Sequence, residues 1–249
     1  MRPALLIANS RFSAESARRL FPEVPLQVIY CPVKNSARQL APVARAALRS
    51  SLSTSPSDTV IIQVSRIEAG KGHRLQLEAL HLLKDRPGWQ CWIVGGAQRK
   101  EEKEYEVALR EFARDLGISK RLHFLGERAD VPNLLAAADV FAQPNVSGEG
   151  FGIVFIEALQ AGLPIVATAI GATYEVLDES CSLIVPPEPI ALAEAYVRLL
   201  ADKDLRSRLG RNGPARAYAI SDPAHRLAEI NAALMSASRD GLPGTPLLK

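Results

Sequence analysis

Two glutamates frame a glycine-rich stretch that could hold a charged ligand. Glu149 precedes Gly-Phe-Gly at 150–152, and Glu157 lies eight positions after Glu149, roughly two helical turns. Glycines near a helix start let a ligand approach the backbone closely, and the free N–H groups there favour an anion such as phosphate. The stretch therefore predicts a site for a phosphate-bearing ligand, although Glu149 taken alone would be an ordinary solvated acid.

The surroundings of Glu157 leave two interpretations open. The residues around it predict a helix over 151–161 that is apolar nearly all round and therefore buried. An ionised carboxylate in such a helix is costly unless it is paired or receives several hydrogen bonds. A ribose diol would supply two donors at once, and a neighbouring Arg or Lys would supply an ion pair.

A second stretch combines two cations with two glycines. Arg66 and Lys71 lie five positions apart beside Gly70 and Gly72, between a predicted strand and a predicted helix. Fixed positive charge at such a turn can hold a diphosphate and stabilise the charge that develops as it leaves. The alternative is a plain loop with surface cations, and the spacing of a P-loop is absent.

The elements that position these residues alternate along the chain. Strands are predicted at 59–65, 91–94, 121–125, 139–142, 164–168 and 182–185, and helices at 73–84, 101–116, 151–161, 191–200, 203–218 and 222–238. This alternation predicts an α/β protein with a doubly wound, parallel, Rossmann-like sheet and a helical C-terminus. Ligands of such sheets bind beyond the carboxyl ends of the strands, where both glycine-rich stretches fall.

Glu149 and Glu157 together resemble the E-x7-E signature of the retaining family-four glycosyltransferases, which have the GT-B fold. The resemblance implies that Glu149 contacts the hydroxyls of the donor sugar and that Glu157 binds the ribose. It also implies that the backbone from Gly150 through Phe151 and Gly152 to Ile153 lies against the sugar and its diphosphate. The segment at 66–72 resembles the family's Arg-x4-Lys-Gly element, whose Arg and Lys grip the phosphates beside Gly70. Arg66, Lys71 and Glu149 are therefore the expected catalytic residues.

Three further segments resemble parts of the family's donor pocket. Gly95 and Gly96 match a glycine turn near the donor, and the loop 125–131, with Arg128 and Val131, matches the loop whose backbone meets the nucleobase. The segment 171–175 resembles a Gly-Gly-x-x-Glu turn, with Ala172 in place of the second glycine. The loop 144–149 is about one residue longer than the commonest family form.

The resemblance also predicts how the chain is divided. Residues 1–34 are expected to be a remnant of an N-terminal acceptor domain, with most of that domain not in this sequence. A linker that carries one short helix is expected over 35–57, the C-terminal half of a GT-B fold over 58–220, a C-terminal helix over 221–239 and a flexible tail over 240–249.

The function implied is transfer of a hexosyl unit from a nucleoside diphosphate sugar to an acceptor, with retention at the anomeric carbon. Two alternatives stay open. The first is a donor-binding subunit, or an inactive remnant, that needs an acceptor domain from a separate chain or from a homo-oligomer. The second is a nucleotide-sugar epimerase.

Composition excludes several other classes. A net charge of +3, with cations interleaved among acids, predicts no nucleic-acid surface. Three widely spaced cysteines predict a reducing, cytoplasmic location, and the histidines show no metal-ligand spacing. No metal or cofactor is expected besides the donor substrate. No signal peptide or membrane-length apolar run is visible, which leaves a peripheral membrane contact open.

Overall fold

The computed structural model describes residues 3–240, with side chains over 3–238. Its strands are β1 Leu6–Ala8, β2 Leu26–Val28, β3 Thr59–Val64, β4 Trp89–Val94, β5 Leu122–Gly126, β6 Val140–Gln143, β7 Ile165–Thr168 and β8 Ser182–Val185. Its α-helices are α1 Arg11–Leu20, α2 Pro42–Ser51, α3 His73–His81, α4 Lys100–Asp115, α5 Val131–Ala137, α6 Ile153–Gln160, α7 Thr173–Val176, α8 Pro189–Ala201, α9 Lys203–Ser221 and α10 Pro223–Asp240. The flexible tail predicted for 240–249 lies outside the described residues, except that residue 240 ends α10.

Six strands form one parallel sheet in the order β5-β4-β3-β6-β7-β8. From β3 the chain moves outward through β4 and β5, and it then returns to add β6, β7 and β8 on the other side. The order therefore reverses between β3 and β6, which pair with each other, so that their carboxyl ends lie side by side. Such a reversal is where open α/β sheets bind ligands.

The sheet is buried on both faces, because parallel strands need helices on each side. One face packs mainly against α3, α4 and α8, and the other mainly against α5, α6 and α9. The continuous β-branched run in β3 fits this environment, since Val60, Ile61 and Ile62 are all buried. The predicted doubly wound, Rossmann-like fold with a helical C-terminus is confirmed.

Helix α6 begins two residues later than the sequence predicted. Gly152 has a left-handed φ of +80° and caps the helix, so Ile153 is the first helical residue. Glu149 consequently lies in the loop before the helix, and the prediction of a continuous helix over 151–161 is corrected. The helix is also not buried all round, because Ile153 is 52% exposed.

Residues 35–57 contain α2, which packs against α5. Arg49 of α2 is 1% exposed. Its guanidinium donates to the carbonyl oxygens of Ala137 at 2.8 Å and Asp58 at 2.9 Å and pairs with Asp139 at 2.5 Å. The same Asp139 carboxylate accepts from Arg45 at 2.6 Å and from the Val60 backbone at 2.7 Å. These contacts tie the segment predicted as a linker to the edge of the sheet at which β3 and β6 begin.

Residues 3–34 form a second unit, in which β1 and β2 pair in parallel beside α1 and from which Val33 packs into the main core. Ile7 and Val28, one on each strand, are exposed, as is Phe21 at the end of α1. None of the helices within the described part of the chain is both long and apolar enough to span a membrane.

Candidate functional site at the carboxyl edge of the sheet

The loops after β3 and β6 are joined at the point where the strand order reverses. The carbonyl oxygen of Gly70 accepts backbone hydrogen bonds from Val146 at 3.0 Å and Ser147 at 3.3 Å. Gly72 has a φ of +70°, and a Cβ there would lie 1.6 Å from the carbonyl oxygen of Pro144. Only glycine allows this approach, so the glycines in the Arg-x4-Lys-Gly stretch bring the two loops together.

This junction places Lys71 against Glu149. Lys71 Nζ lies 2.7 Å from Glu149 Oε2, and both side chains are partly buried, at 24% and 17% exposure. The two residues are 78 positions apart in sequence. The structure thus brings together one of the predicted phosphate-binding cations and the predicted sugar-binding acid.

The backbone of Glu149 is held by the turn at 171–175. A Cβ at Gly171 would lie 2.4 Å from the Glu149 nitrogen, and Ala172 N–H donates to the Glu149 carbonyl at 2.9 Å. Asn145 Nδ2 lies 3.4 Å from Glu149 Oε2, and Gln143 donates to Asn145 Oδ1 at 2.8 Å. The sequence did not single out Asn145 or Gln143, whose only signal was their position at the end of β6 and in the loop that follows it.

The second predicted cation, Arg66, is also paired. Its guanidinium lies 2.5 Å from Glu68 Oε1, and the Arg66 side chain is 52% exposed. Glu68 was not predicted as a site residue, although it lies between the two cations in sequence. Each cation therefore has a carboxylate partner within its own chain.

Glu157 has no such partner among residues 3–238. Among the residues whose side chains the structure describes, no hydrogen bond or ion pair is formed by the Glu157 carboxylate. Burial raises the pKa of this carboxyl above its ordinary value. The ion pair with a neighbouring Arg or Lys that the sequence left open is absent there, and the carboxylate has its hydrogen-bonding capacity free for a ligand.

The loops after β4 and β5 lie beside the loop after β3. Gly95 N–H donates to the Gly126 carbonyl at 2.8 Å, and Ile67 N–H donates to the Gly96 carbonyl at 3.2 Å. These bonds align the loops after β3, β4 and β5 side by side. The predicted glycine turn and the predicted nucleobase loop are therefore neighbours of the Arg66 loop.

Two predicted binding residues near the nucleobase loop have internal contacts. Arg128 makes a bidentate pair with Asp130, with both N···O distances at 2.8 Å, and this contact lowers the pKa of the Asp130 carboxyl. Val131 is the first residue of α5 and packs against the core below it. The Arg128 side chain is thus paired within its own loop, and Val131 is held by the helix that it begins.

The predicted role of Phe151 is restricted to its backbone. The ring is 2% exposed and stacks on Tyr30 at 5.8 Å between centroids. Ser13 of α1 donates to the Gly150 carbonyl at 3.4 Å. The Gly150–Gly152 segment therefore lies between its own core and the unit formed by residues 3–34.

Glu175 joins that unit to the site. Its carboxylate accepts from the backbone N–H groups of Arg11 at 2.7 Å and Phe12 at 2.9 Å, at the N-terminus of α1. An acid at this end of a helix satisfies free donors and complements the helix dipole. The resemblance at 171–175 marked this glutamate, but nothing in the sequence indicated its partner.

His73 lies below the Arg66–Lys71 loop and is fully buried. Its Nε2 is 3.3 Å from Ser65 Oγ, and desolvation lowers its pKa from 6.5 to about 4. The histidine is therefore neutral at neutral pH and helps support the loop.

We expect His73 to make the chain less stable in mild acid. Between pH 7 and pH 5 the unfolded state takes up a proton on this residue and the folded state does not, which removes about 2 kcal/mol of stability. The effect is absent above the unfolded pKa of 6.5 and grows as the pH falls toward about 4. Chemical unfolding of the wild type and of His73→Gln across this range measures the difference, with exposed His225→Gln as the control. Equal pH slopes in all three proteins would contradict this expectation.

A groove of about 830 Å³ lies elsewhere, between residues 35–39, the end of α6 and α9. None of the predicted donor-binding residues lines this groove, which is therefore distinct from the candidate site. Within the described part of the chain, no group of three or more His, Cys, Asp or Glu side chains could hold a metal ion.

Comparison with known proteins identifies the family. The sequence profile described as "Glycosyl transferases group 1" matches residues 45–216, more than half of the chain. The chain is 28% identical to a lipopolysaccharide core biosynthesis mannosyltransferase, LpsB, of Rhizobium meliloti, covering 86% of this chain and 62% of that protein. It is 33% identical to a GDP-mannose-dependent mannosyltransferase of Corynebacterium glutamicum that acts on a monoacylated phosphatidylinositol monomannoside, covering 72% of this chain and 47% of that protein.

A solved structure agrees with these relatives. The Anabaena protein Alr3699/HepE, in complex with UDP and glucose, superposes with a TM-score of 0.85 at 28% identity, covering 94% of this chain and 63% of that one. The chain spans about half to three fifths of the length of the curated relatives described above. The chain belongs to the group 1 glycosyltransferases, and its sheet has the Rossmann-like architecture found in GT-B enzymes.

Proposed function

We propose that this chain binds a nucleoside diphosphate sugar and transfers its hexosyl unit to an acceptor with retention of configuration. The contact between Lys71 and Glu149 carries the proposal, because it places a cation and an acid together where the strand order reverses. A diphosphate next to Lys71 would hold its sugar within reach of Glu149. Structural relatives support the donor class, since HepE is seen with UDP-glucose.

The proposed chemistry uses the leaving group as the base. The acceptor oxygen attacks the anomeric carbon from the face that the diphosphate leaves, and the bond between that carbon and the phosphate oxygen breaks. The acceptor proton passes to an oxygen of the departing diphosphate. Lys71 and Arg66 would stabilise the negative charge that develops there, which is the usual task of fixed cations in phosphate release.

A second function is favoured by the unit at residues 3–34. Two parallel strands with exposed Ile7 and Val28 bury little apolar surface, and parallel sheets in proteins are normally covered on both faces. A donor-binding subunit that receives its acceptor domain from another chain, or from a second copy, would cover these strands. This alternative predicts donor binding without turnover by the isolated chain.

A titration separates the two functions. The purified chain is titrated with UDP-, GDP- and ADP-sugars in a calorimeter, and the same samples are assayed for sugar transfer and donor hydrolysis. Binding with turnover supports the transferase, and binding without turnover or hydrolysis supports the subunit. Absence of binding to all three donors would refute both.

Replacing Glu157 with alanine should weaken nucleotide binding by about 1–3 kcal/mol, the range for losing hydrogen bonds to a charged group. The carboxylate accepts no hydrogen bond among the described residues, and so its acceptors are available to a ribose. Because the pKa of the Glu157 carboxyl is raised, the wild type should lose nucleotide affinity at a higher pH than it would with a carboxyl of ordinary pKa. Calorimetric titration of nucleotide across pH measures both effects.

Glu157→Gln provides the matched control. It removes the desolvated charge and keeps the shape, so the ligand-free variant should melt at a higher temperature than the wild type at neutral pH. That gain should shrink as the pH falls and the wild-type carboxyl becomes protonated. An unchanged nucleotide affinity in both variants would refute the ribose assignment.

A further inference from the structure

Both cations proposed to hold the diphosphate are already neutralised by acids of the same chain. Lys71 pairs with Glu149 at 2.7 Å, and Arg66 pairs with Glu68 at 2.5 Å. A diphosphate carries its own negative charge to the same cations. Its phosphate oxygens would therefore compete with the two carboxylates for Lys71 and Arg66.

The two pairs differ in how freely they can separate. The side chains of Arg66 and Glu68 are 52% and 28% exposed, whereas those of Lys71 and Glu149 are 24% and 17% exposed. Glu149 is held at its backbone by Gly171 and Ala172, and its side chain lies near Asn145. A ligand can push Glu68 into solvent, whereas the Glu149 carboxylate stays close to the bound ligand.

We propose that Glu68 and Glu149 act as internal counter-ions that a diphosphate must displace, and that Glu149 thereby makes the site prefer a sugar nucleotide over the free nucleoside diphosphate. This inference rests on the proposed function, because it assumes that Lys71 and Arg66 meet a diphosphate.

The preference follows from what Glu149 gains after it is displaced. When the donor carries a sugar, the freed carboxylate accepts hydrogen bonds from sugar hydroxyls and recovers what it lost with Lys71. When the ligand is only a nucleoside diphosphate, the carboxylate keeps its charge beside the terminal phosphate and receives nothing in return. Neighbouring like charges repel, so the nucleoside diphosphate, which is the product of the reaction, binds more weakly than the sugar nucleotide.

Glu68 has no part in the sugar contact, and so it should not discriminate. Its displacement opposes binding of a sugar nucleotide and of a nucleoside diphosphate equally. The two acids thus provide a matched pair, with one expected to set affinity alone and the other to set affinity and selectivity.

The test uses isosteric glutamine variants of the whole chain. Wild type, Glu68→Gln and Glu149→Gln are titrated with GDP, GDP-mannose, UDP and UDP-glucose, and the base that the wild type binds more tightly is used for comparison. Both variants should bind the nucleoside diphosphate about 2- to 5-fold more tightly, the size of effect expected from relieving a partly exposed ion pair. Glu68→Gln should bind the sugar nucleotide more tightly by the same factor. Glu149→Gln should not, so its preference for the sugar nucleotide over the nucleoside diphosphate, as a ratio of affinities, should fall by at least that factor.

The outcomes separate this inference from the proposed function. If the wild type binds none of the four ligands and no ADP-sugar, the proposed function fails. If the wild type binds but Glu149→Gln leaves nucleoside diphosphate affinity unchanged or weaker, the counter-ion role is overturned. Equal tightening of both ligands by Glu149→Gln would overturn the selectivity. Thermal melting without ligand identifies a variant that has lost its fold, and Glu68→Gln, on an exposed ion pair, then tests the counter-ion role by itself.

Discussion

Replacing Lys71 with alanine should weaken binding of a sugar nucleotide by about 2–4 kcal/mol. The variant loses a charged hydrogen bond to the diphosphate. It also leaves the Glu149 carboxylate, 2.7 Å from the ammonium in the wild type, without its partner and facing the phosphates. Binding of the corresponding nucleoside, which has no phosphate, should change little. Calorimetric titration of nucleoside, nucleoside diphosphate and sugar nucleotide measures all three.

The double variant Lys71→Ala with Glu149→Gln is the control for this result. Removing the orphaned carboxylate should restore part of the nucleoside diphosphate affinity, since directly contacting residues are not additive. Arg66→Ala should show the same order of ligands with a smaller loss, because its side chain is more exposed. Equal losses for nucleoside and nucleoside diphosphate would mean that Lys71 does not contact the phosphates.

Replacing Arg49 with alanine should destabilise the fold by about 3–5 kcal/mol. The guanidinium is 1% exposed and holds two carbonyl oxygens as well as the Asp139 carboxylate. Its removal takes the donor from the Ala137 and Asp58 carbonyls, leaves Asp139 with only Arg45 and the Val60 N–H among the described residues, and opens a cavity between α2 and α5. Urea unfolding followed by circular dichroism measures the change.

Arg38→Ala is the matched control, because it removes the same side chain from an exposed position in the same segment. We expect that change to stay within about 0.5 kcal/mol. A similar small effect for Arg49→Ala would show that α2 is loosely attached, as the interpretation of residues 35–57 as a linker would suggest.

The fold class was readable from the sequence because it depends on local patterns. Continuous β-branched runs such as 60–62 predict strands buried on both faces, and helical stripes between them require a parallel sheet. The glycine-flanked motifs fell after predicted strands, which is enough to place them at the carboxyl edge of any such sheet. The motif with Glu149 and Glu157 also pointed to the family that the comparisons show.

The exact start of a helix and the exposure of its residues could not be predicted from the sequence. The start of α6 at Ile153 depends on the left-handed backbone of Gly152, and a glycine permits that conformation without requiring it. The exposure of Ile153 follows from where the helix lies, which an apolar pattern does not specify. The ligand contacts assigned to the glycine turns, Arg128 and Val131 stay predictions.

Only the tertiary structure decided which charges meet. Lys71 pairs with Glu149 across 78 positions, and Glu175 caps a helix 163 and 164 positions away. The first contact depends on the order of strands in the six-stranded sheet, which reverses between β3 and β6, and the second depends on how α1 and the β1–β2 sheet pack against the site. Residue types and local spacing thus determined the elements and the chemistry available at their ends. The pairing of that chemistry came from strand order, because packing of whole elements sets distances between residues far apart in sequence.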